Sequence, residues 1–350
     1  MTQPTQPPSG SASGRRAGPV RVRVPATSAN LGPGFDSLGL ALTLYDEVEV
    51  EVTSDGVTIE VTGEGAEVAD RGEHHLIVRS IRRAFAAIDA AAAGSGAAGS
   101  AAAGSGAARE TPRPDATPPG LRLRCLNRIP HSRGLGSSAA AIVAGLLAAR
   151  ELHPYGEALD DQAIFALATE IEGHPDNVAA CLAGGLTIAW RTPDGPRLAR
   201  VDVDMEVVVF VPEQRVATER TRGLLPAVVP HADAAANAGR AALLIAALTA
   251  ARPPAAGAGP AGGLADALLA ATEDKIHQDY RAPVMPATAA LLGRLREKGI
   301  PAVLSGAGPA VLAFTTASQV DSIASEVGNG WHKRPLNVDP DGARVQPRRP

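Results

Sequence analysis

Apolar and polar residues alternate with a period of two through Val20 to Val24, Glu47 to Thr53 and Val57 to Thr62. That spacing predicts half-buried antiparallel strands. A helical period takes over from His74 to Asp89, followed by a predicted strand at Leu121 to Asn127 and a small-residue helix opening at Ser137 or Ser138. Beyond Gly184-Gly185 the pattern predicts strands at Leu186 to Arg191 and Met205 to Val211, and helices at Ala232 to Ala250 and Pro286 to Lys298. A strand, turn and strand follow at Ala302 to Phe314. Strands and helices mixed in this way make an α+β chain, and its second half reads as a separate domain with a boundary near residue 190.

Three stretches carry no pattern that could fix a core. Residues 1–18 are mostly Pro, Ser, Gly, Thr and Gln and read as a disordered leader. Residues 90–119 hold near-repeats of Ala-Gly-Ser and then a Pro-rich run, and read as a low-complexity loop insertion. Residues 335–350 are polar and Pro-rich and read as a frayed tail. The expected organisation is therefore a leader, an N-terminal domain at 19–190 carrying the insertion, a C-terminal domain at 191–334 and the tail.

A chain of 350 residues that is 45% hydrophobic can bury one large core or two moderate ones. Its 33 basic and 37 acidic side chains leave a net charge of -4, which is no field for a polyanion, and 3% aromatics provide few base-stacking platforms. Nucleic acid is thus not an expected partner. Cys125 and Cys181 lie far apart, without CxxC spacing, and read as buried apolar residues in a reducing compartment. The longest apolar runs, Ala139 to Ala149 and Ala241 to Ala251, fall short of the roughly 18 residues of a membrane span. Arg15-Arg16 lacks the apolar region of an export signal. The expected setting is cytoplasmic, with no membrane partner.

The candidate chemistry centres on Pro130-His131-Ser132-Arg133-Gly134-Leu135-Gly136-Ser137-Ser138-Ala139-Ala140, between a predicted strand and a predicted helix. Glycines at 134 and 136 allow close backbone approach, and the N-H groups and positive dipole end of the helix form an anion site suited to a polyphosphate. The hydroxyls of Ser137 and Ser138 can cap the helix or bind a Mg²⁺ that bridges phosphate oxygens. A glycine turn with a serine cap explains a bare Gly-x-Gly-Ser-Ser equally well. A Walker loop is excluded because GxxxxGK[ST] is absent and the only lysines are Lys275, Lys298 and Lys333. No HRD or DFG string of a protein kinase occurs.

The longer string resembles the phosphate loop of the GHMP kinases, the superfamily of galactokinase, homoserine kinase, mevalonate kinase and phosphomevalonate kinase. Two further segments match in order. Pro25-Ala26-Thr27-Ser28-Ala29-Asn30-Leu31-Gly32-Pro33-Gly34-Phe35-Asp36 is similar to the first motif in the form homoserine kinases show. Leu304-Ser305-Gly306-Ala307-Gly308-Pro309 resembles the third. The resemblance implies a two-domain GHMP kinase fold, with a left-handed βαβ crossover in the N-terminal domain, a ferredoxin-like C-terminal domain and a cleft between them. It also implies ATP as co-substrate, Mg²⁺, and L-homoserine as acceptor on the way to threonine. A homodimer is compatible with the resemblance, but no apolar stripe argues for one.

Phosphoryl transfer needs charge neutralised on the β and γ phosphates, so a carboxylate should join Ser138 on the metal. The resemblance implies Glu170, the first of two glutamates in Ala168-Thr169-Glu170-Ile171-Glu172-Gly173-His174-Pro175-Asp176-Asn177, and Glu172 reads more readily as a surface carboxylate. It places His174, Asp176 and Asn177 beside the acceptor, with Asp176 and Asn177 the candidates for catalysis; turn chemistry alone also accounts for Pro-Asp-Asn. A zwitterionic acceptor needs a cation for its carboxylate, and arginine forks suit it. Arg222 and Arg281, each preceding a proline turn, match the family's carboxylate arginines.

Asn30 and Asp36 can hydrogen-bond the ammonium and hydroxyl of the acceptor, although an Asx turn also explains Asp36. Ser305, Gly306, Ala307 and Gly308 form a second small-residue loop, read as close backbone approach to a ligand or as a tight hairpin turn. Mevalonate or shikimate as acceptor would leave Asp36 and Asp176 facing no ammonium. A non-catalytic sensor of an amino acid or nucleotide is a third reading, against which the metal candidates Ser138 and Glu170 speak.

Overall fold

The structure, a computed structural model, describes residues 18–67, 69–99, 120–249, 263–315, 317–321, 327–328 and 330–347. The proposed leader, apart from Gly18, and residues 100–119 of the proposed insertion lie outside them.

Strands β1 (Val20–Ala29), β2 (Leu38–Thr53) and β3 (Gly56–Gly63) open the chain. In β1 the alternation buries Val20, Val22 and Val24 and turns Arg21 and Arg23 outward. Its register against antiparallel β2 shifts between Pro25 and Ala26, as expected where proline has no N-H for the ladder. Helix α1 (Leu76–Gly99) then crosses to β4 (Gly120–Asn127), which pairs parallel with β3. Val57 to Thr62 is therefore not an antiparallel strand, because a helix and not a hairpin connects it to its neighbour. The helix also continues to residue 99, so the first ten residues of the expected loop insertion are helical: their alanines favour helix more than the interspersed Gly and Ser oppose it.

Helix α2 (Ser137–Leu152) is buried on nearly every side. Its alanines permit the close approach of β1, α1, α3 (Asp161–Glu172) and α4 (Asp176–Ala183). Asp160 caps α3 by accepting the Ala163 N-H at 2.7 Å, and Gly173 ends it at φ 91°. Strands β5 (Leu186–Thr192) and β6 (Gly195–Val201) pair with each other and join the sheet through the N-terminal end of β2. The short turn at 193–194 makes β5 and β6 a hairpin, so this sheet continues to Val201.

The second sheet has the order β10-β7-β9-β8, formed by β7 (Glu206–Pro212), β8 (Ala302–Leu304), β9 (Val311–Ala313) and β10 (Trp331–Asn337). Helices α5 (Thr218–Arg222), α6 (His231–Thr249), α7 (Gly263–Ala271), α8 (Gln278–Arg281), α9 (Pro286–Glu297) and α10 (Ala317–Asp321) complete the domain. In β7, Val208 and Phe210 face a core with Leu291 and Leu295 of α9, whereas Val207, Val209 and Val211 face the main core with Leu244 and Leu268. Burial on both faces accounts for an unbroken apolar run.

The expected tail is not frayed as far as residue 347. Pro335 to Asn337 lie in β10, and β11 (Arg344–Gln346) pairs antiparallel with β1 in the first sheet. Between them the buried Asp339 accepts from the Tyr45 hydroxyl at 2.8 Å and from the Gly342 N-H at 2.8 Å. Of the prolines that suggested disorder, Pro335 sits on an edge strand and Pro340 in this turn, where a missing N-H costs little.

Candidate active site

Three glycine-bearing loops and the ends of five helices, α2, α3, α4, α5 and α8, meet in a cleft of about 450 Å³ between the domains. The loop before α2 is built on backbone conformations that favour glycine: Gly134 has φ 78° and Gly136 φ 69°. A Cβ on Gly134 would collide with the Ser305 carbonyl, and one on Gly136 with the Thr27 hydroxyl. Gly136 stands at the N-cap of α2 with no side-chain cap, so the first-turn N-H groups remain available to an anion.

The expected phosphate string divides. Ser132, Gly134, Leu135, Gly136, Ser137 and Ser138 line the cleft. His131 packs against Gly65, with burial pushing its pKa below the ordinary value. Arg133 donates to the carbonyls of Pro212, His131 and Glu213 at 2.9, 3.1 and 3.1 Å, which ties the loop to β7. Pro130, Ala139 and Ala140 are buried, the two alanines in the core.

The third motif braces the other two. Ser305, fully buried, donates to the Gly134 carbonyl at 2.7 Å and lies 2.9 Å from the Ser28 hydroxyl. Gly306 donates its N-H to the Ala29 carbonyl and accepts from Asn30 Nδ2 at 2.9 Å. Gly306 and Ala307 line the cleft, while a Cβ on Gly308 would press on Met285 and Leu304. Asn30, with φ 69°, accepts the Asp36 N-H through Oδ1 at 2.9 Å. Both ends of its amide hold the loop together.

The two glutamates exchange the places expected for them. Glu170 is exposed and pairs with Arg83, away from the cleft. Glu172, its side chain only 8% exposed, accepts from Ser138 Oγ at 2.6 Å. Residues two apart on a helix point about 200° from each other, so only one of the pair can face the cleft. Burial raises the Glu172 pKa, against the lowering effects of the Ser138 hydrogen bond and of His174.

His174 Nδ1 lies 2.8 Å from Asp176 Oδ1, and that oxygen also accepts the Asn177 N-H at 2.7 Å. Burial disfavours the His174 cation, but the hydrogen bond and charge of Asp176 and the charge of Glu172 outweigh it and raise its pKa. Asn177 Oδ1 accepts from Thr27 Oγ1 at 2.8 Å, which leaves Nδ2 as the free donor end of the amide.

The two arginines differ. Arg222 makes a forked pair with Asp36, at 2.6 and 3.2 Å; burial alone would lower its pKa, but that carboxylate raises it. Arg281 is 1% exposed and has no carboxylate partner among the described residues. Burial, reinforced by repulsion from Arg222, brings its pKa down to about 10. At neutral pH it is a buried cation, and its Nε has no hydrogen-bond partner among the described residues. The pattern reading did not single out Thr27, Phe35 or His277; the visible signal was His277-x-x-x-Arg281, a spacing that puts both side chains on one helical face.

The residue types fit Mg²⁺. Ser138 and Glu172 supply two hard oxygens, and no group of three or more His, Cys, Asp or Glu that could form a complete cage occurs among the described residues. Magnesium takes few protein ligands and completes its shell with water and phosphate. No helix among the described residues is long and apolar enough to cross a membrane.

Comparison with known proteins extends the match over most of the chain. The model of the GHMP kinases N terminal domain matches residues 100–185, and that of the GHMP kinases C terminal matches 254–333. The homoserine kinase of Streptomyces coelicolor is 51% identical over 335 residues, 95% of this chain and 96% of that one. The homoserine kinase of Mycobacterium tuberculosis is 44% identical over 313 residues, 87% of each. Among solved structures, the homoserine kinase of Cytophaga hutchinsonii superposes with a TM-score of 0.69 at 23% identity, covering 94% of this chain and 97% of that one. Mevalonate kinase of L. major, in complex with R-mevalonate, shares the fold with a TM-score of 0.59 at 16% identity, covering 94% and 99%.

Proposed function

The chain belongs to the homoserine kinases of the GHMP superfamily, and from that premise we propose how its cleft transfers the γ-phosphoryl group of ATP to the hydroxyl of L-homoserine, a step in threonine biosynthesis. The observation that carries the proposal is one cleft lined by two anion sites: uncapped N-H groups at the start of α2, and the buried cation Arg281, which has no carboxylate partner among the described residues. The first suits a polyphosphate and the second a carboxylate.

The first-turn amides of α2 and the glycine backbone at 134–136 hold phosphate oxygens. Ser138 and Glu172 would hold Mg²⁺, which would neutralise charge on the β and γ phosphates. At the second site Arg281 takes the acceptor carboxylate, with Arg222 contributing positive charge beside it. Asp36 and Asp176 supply negative charge for the ammonium, a demand that neither mevalonate nor shikimate makes. Asn177 Nδ2 and His174 border the space for the acceptor hydroxyl. In the transfer, the bond from the γ phosphorus to the bridging oxygen of ADP breaks as the hydroxyl oxygen bonds to phosphorus, and the hydroxyl proton is released. A loose transition state requires little proton removal early, so positioning and charge carry most of the rate.

A coupled assay of ADP release with ATP and Mg²⁺ tests this against homoserine, mevalonate, shikimate and galactose. Turnover selective for homoserine, lost in Glu172→Gln and Arg281→Ala, is the expected result. Nucleotide binding without turnover on any acceptor would transfer support to the sensor reading.

A further inference from the structure

Half of the Arg281 guanidinium is already committed. Nη1 donates to His277 Nδ1 at 3.0 Å and to the Gly306 carbonyl at 3.2 Å, which uses both of its hydrogens. The edge formed by Nε and Nη2 remains, with Nε buried and unpartnered. Such an edge matches a carboxylate with two parallel hydrogen bonds.

His277 decides which edge stays free. Guanidinium has donors only, so Nδ1 must be the acceptor and the imidazole proton must sit on Nε2. Nε2 donates to the Gly32 carbonyl at 2.7 Å. The ring is fully buried and stacks on Phe35 at 5.3 Å, and the Phe35 ring centre lies 5.5 Å from the Arg281 guanidinium. Its backbone is also held: the Asp274 carboxylate accepts the N-H groups of Ile276, His277 and Gln278 at 3.2, 3.0 and 2.7 Å. Burial lowers the His277 pKa, in keeping with a neutral ring.

We propose that His277 is a positioning residue: its neutral Nε2-H form turns Arg281 so that the Nε and Nη2 edge faces the cleft, and so sets the preference for an acceptor that carries a carboxylate. The proposal rests on the reading that Arg281 receives that carboxylate. An imidazole protonated on Nδ1 would oppose donor to donor and turn the fork away. Without the ring, Nη1 would be free to rotate toward the cleft, and the two-point contact would become a single one.

The test compares kcat/KM for homoserine with kcat/KM for 3-aminopropan-1-ol, which keeps the amine and hydroxyl and lacks the carboxylate. His277→Gln can replace the donor to Gly32 but not the acceptor for Arg281, whereas His277→Asn places an acceptor where Nδ1 stood. The homoserine preference is expected to fall about tenfold to a hundredfold in His277→Gln, the worth of a charged hydrogen bond. It should stay within a few-fold of the unmodified enzyme in His277→Asn, with the KM for ATP unchanged in both. Equal losses on both acceptors in His277→Gln would overturn the proposal, since a merely structural role lowers them together. Arg281→Ala separates the two layers. If it keeps the homoserine preference, the carboxylate reading fails; if it loses the preference while His277→Gln retains it, that reading stands and the role of His277 falls. Should the His277 variants not fold, ¹⁵N spectra of the unmodified enzyme decide: an Nε2-H ring that persists when homoserine binds supports the proposal, and a proton on Nδ1 overturns it.

Discussion

Ser138 donates its hydroxyl to the Glu172 carboxylate at 2.6 Å, joining the first turn of α2 to the last turn of α3 at the mouth of the cleft. An ion placed there would share both oxygens. Glu172→Gln is expected to lower kcat/KM by about 10²- to 10³-fold, the effect of several kcal/mol of lost charge stabilisation, and to raise the Mg²⁺ concentration needed for half activity. Glu170→Gln removes only an exposed pair with Arg83 and should leave both within about twofold. Initial rates across a Mg²⁺ series distinguish the two; the reverse ranking would make Glu170 the metal ligand.

Asn30 bonds to Gly306 and to the Asp36 N-H from a left-handed backbone conformation. Asn30→Ala combines backbone strain of about 1–2 kcal/mol with two lost hydrogen bonds of about 1 kcal/mol each. Urea denaturation should register a loss of about 3–4 kcal/mol. Asn30→Gly removes the strain alone and should recover about 1 kcal/mol of it; equal stability in the two variants would show that backbone conformation contributes nothing.

Gly136 has neither the conformation nor the space for a side chain. Gly136→Ala should displace Thr27 or the start of α2, and so weaken ATP binding at least about tenfold by calorimetry, since about 1.4 kcal/mol of misplaced donors suffices. Unchanged ATP affinity would remove the α2 amides from phosphate binding.

Asp46, buried in β2, accepts the N-H groups of Arg128 and Ile129 just past the end of β4, at 2.6 and 2.9 Å, yet burial pushes its pKa from 3.8 up to about 6. Between these values the folded chain holds a proton that the unfolded chain has lost, so stability falls as pH rises through the window. The contribution is fully present below 3.8, declines through about 6, and amounts to at most about 3 kcal/mol. Asp46→Asn keeps an acceptor and loses the titration. It should flatten this part of the pH dependence and be the more stable protein at pH 7; an unchanged slope from pH 4 to 7 would assign the dependence elsewhere.

Legibility from sequence followed the range of the interactions. The phosphate loop and the main strands and helices were readable because glycine, serine caps and hydrophobic periods act within a few residues. Choosing between Glu170 and Glu172 required the angular setting of α3 against α2, which depends on Leu167 and Ala168 finding their places in the core. The mutual pairing of Asp36 and Arg222, and the support of Gly134 by Ser305, span more than a hundred residues and left no local trace. The end of the chain misled for the opposite reason. Its prolines satisfy a local rule for disorder, but Asp339 and Val345 are held by partners far away in sequence, Tyr45 and Val22.

That last pairing has a consequence for how the molecule is made. Strand β1 is paired along one side by β11, more than 300 residues later, so the N-terminal sheet keeps an open edge along β1 until residues 344–346 have been made. Its final closure depends on contacts of very long sequence separation, which form slowly, and an N-terminal fragment would expose that edge permanently. The β1–β11 seam of this two-domain enzyme therefore closes only after the residues that line the cleft have been made.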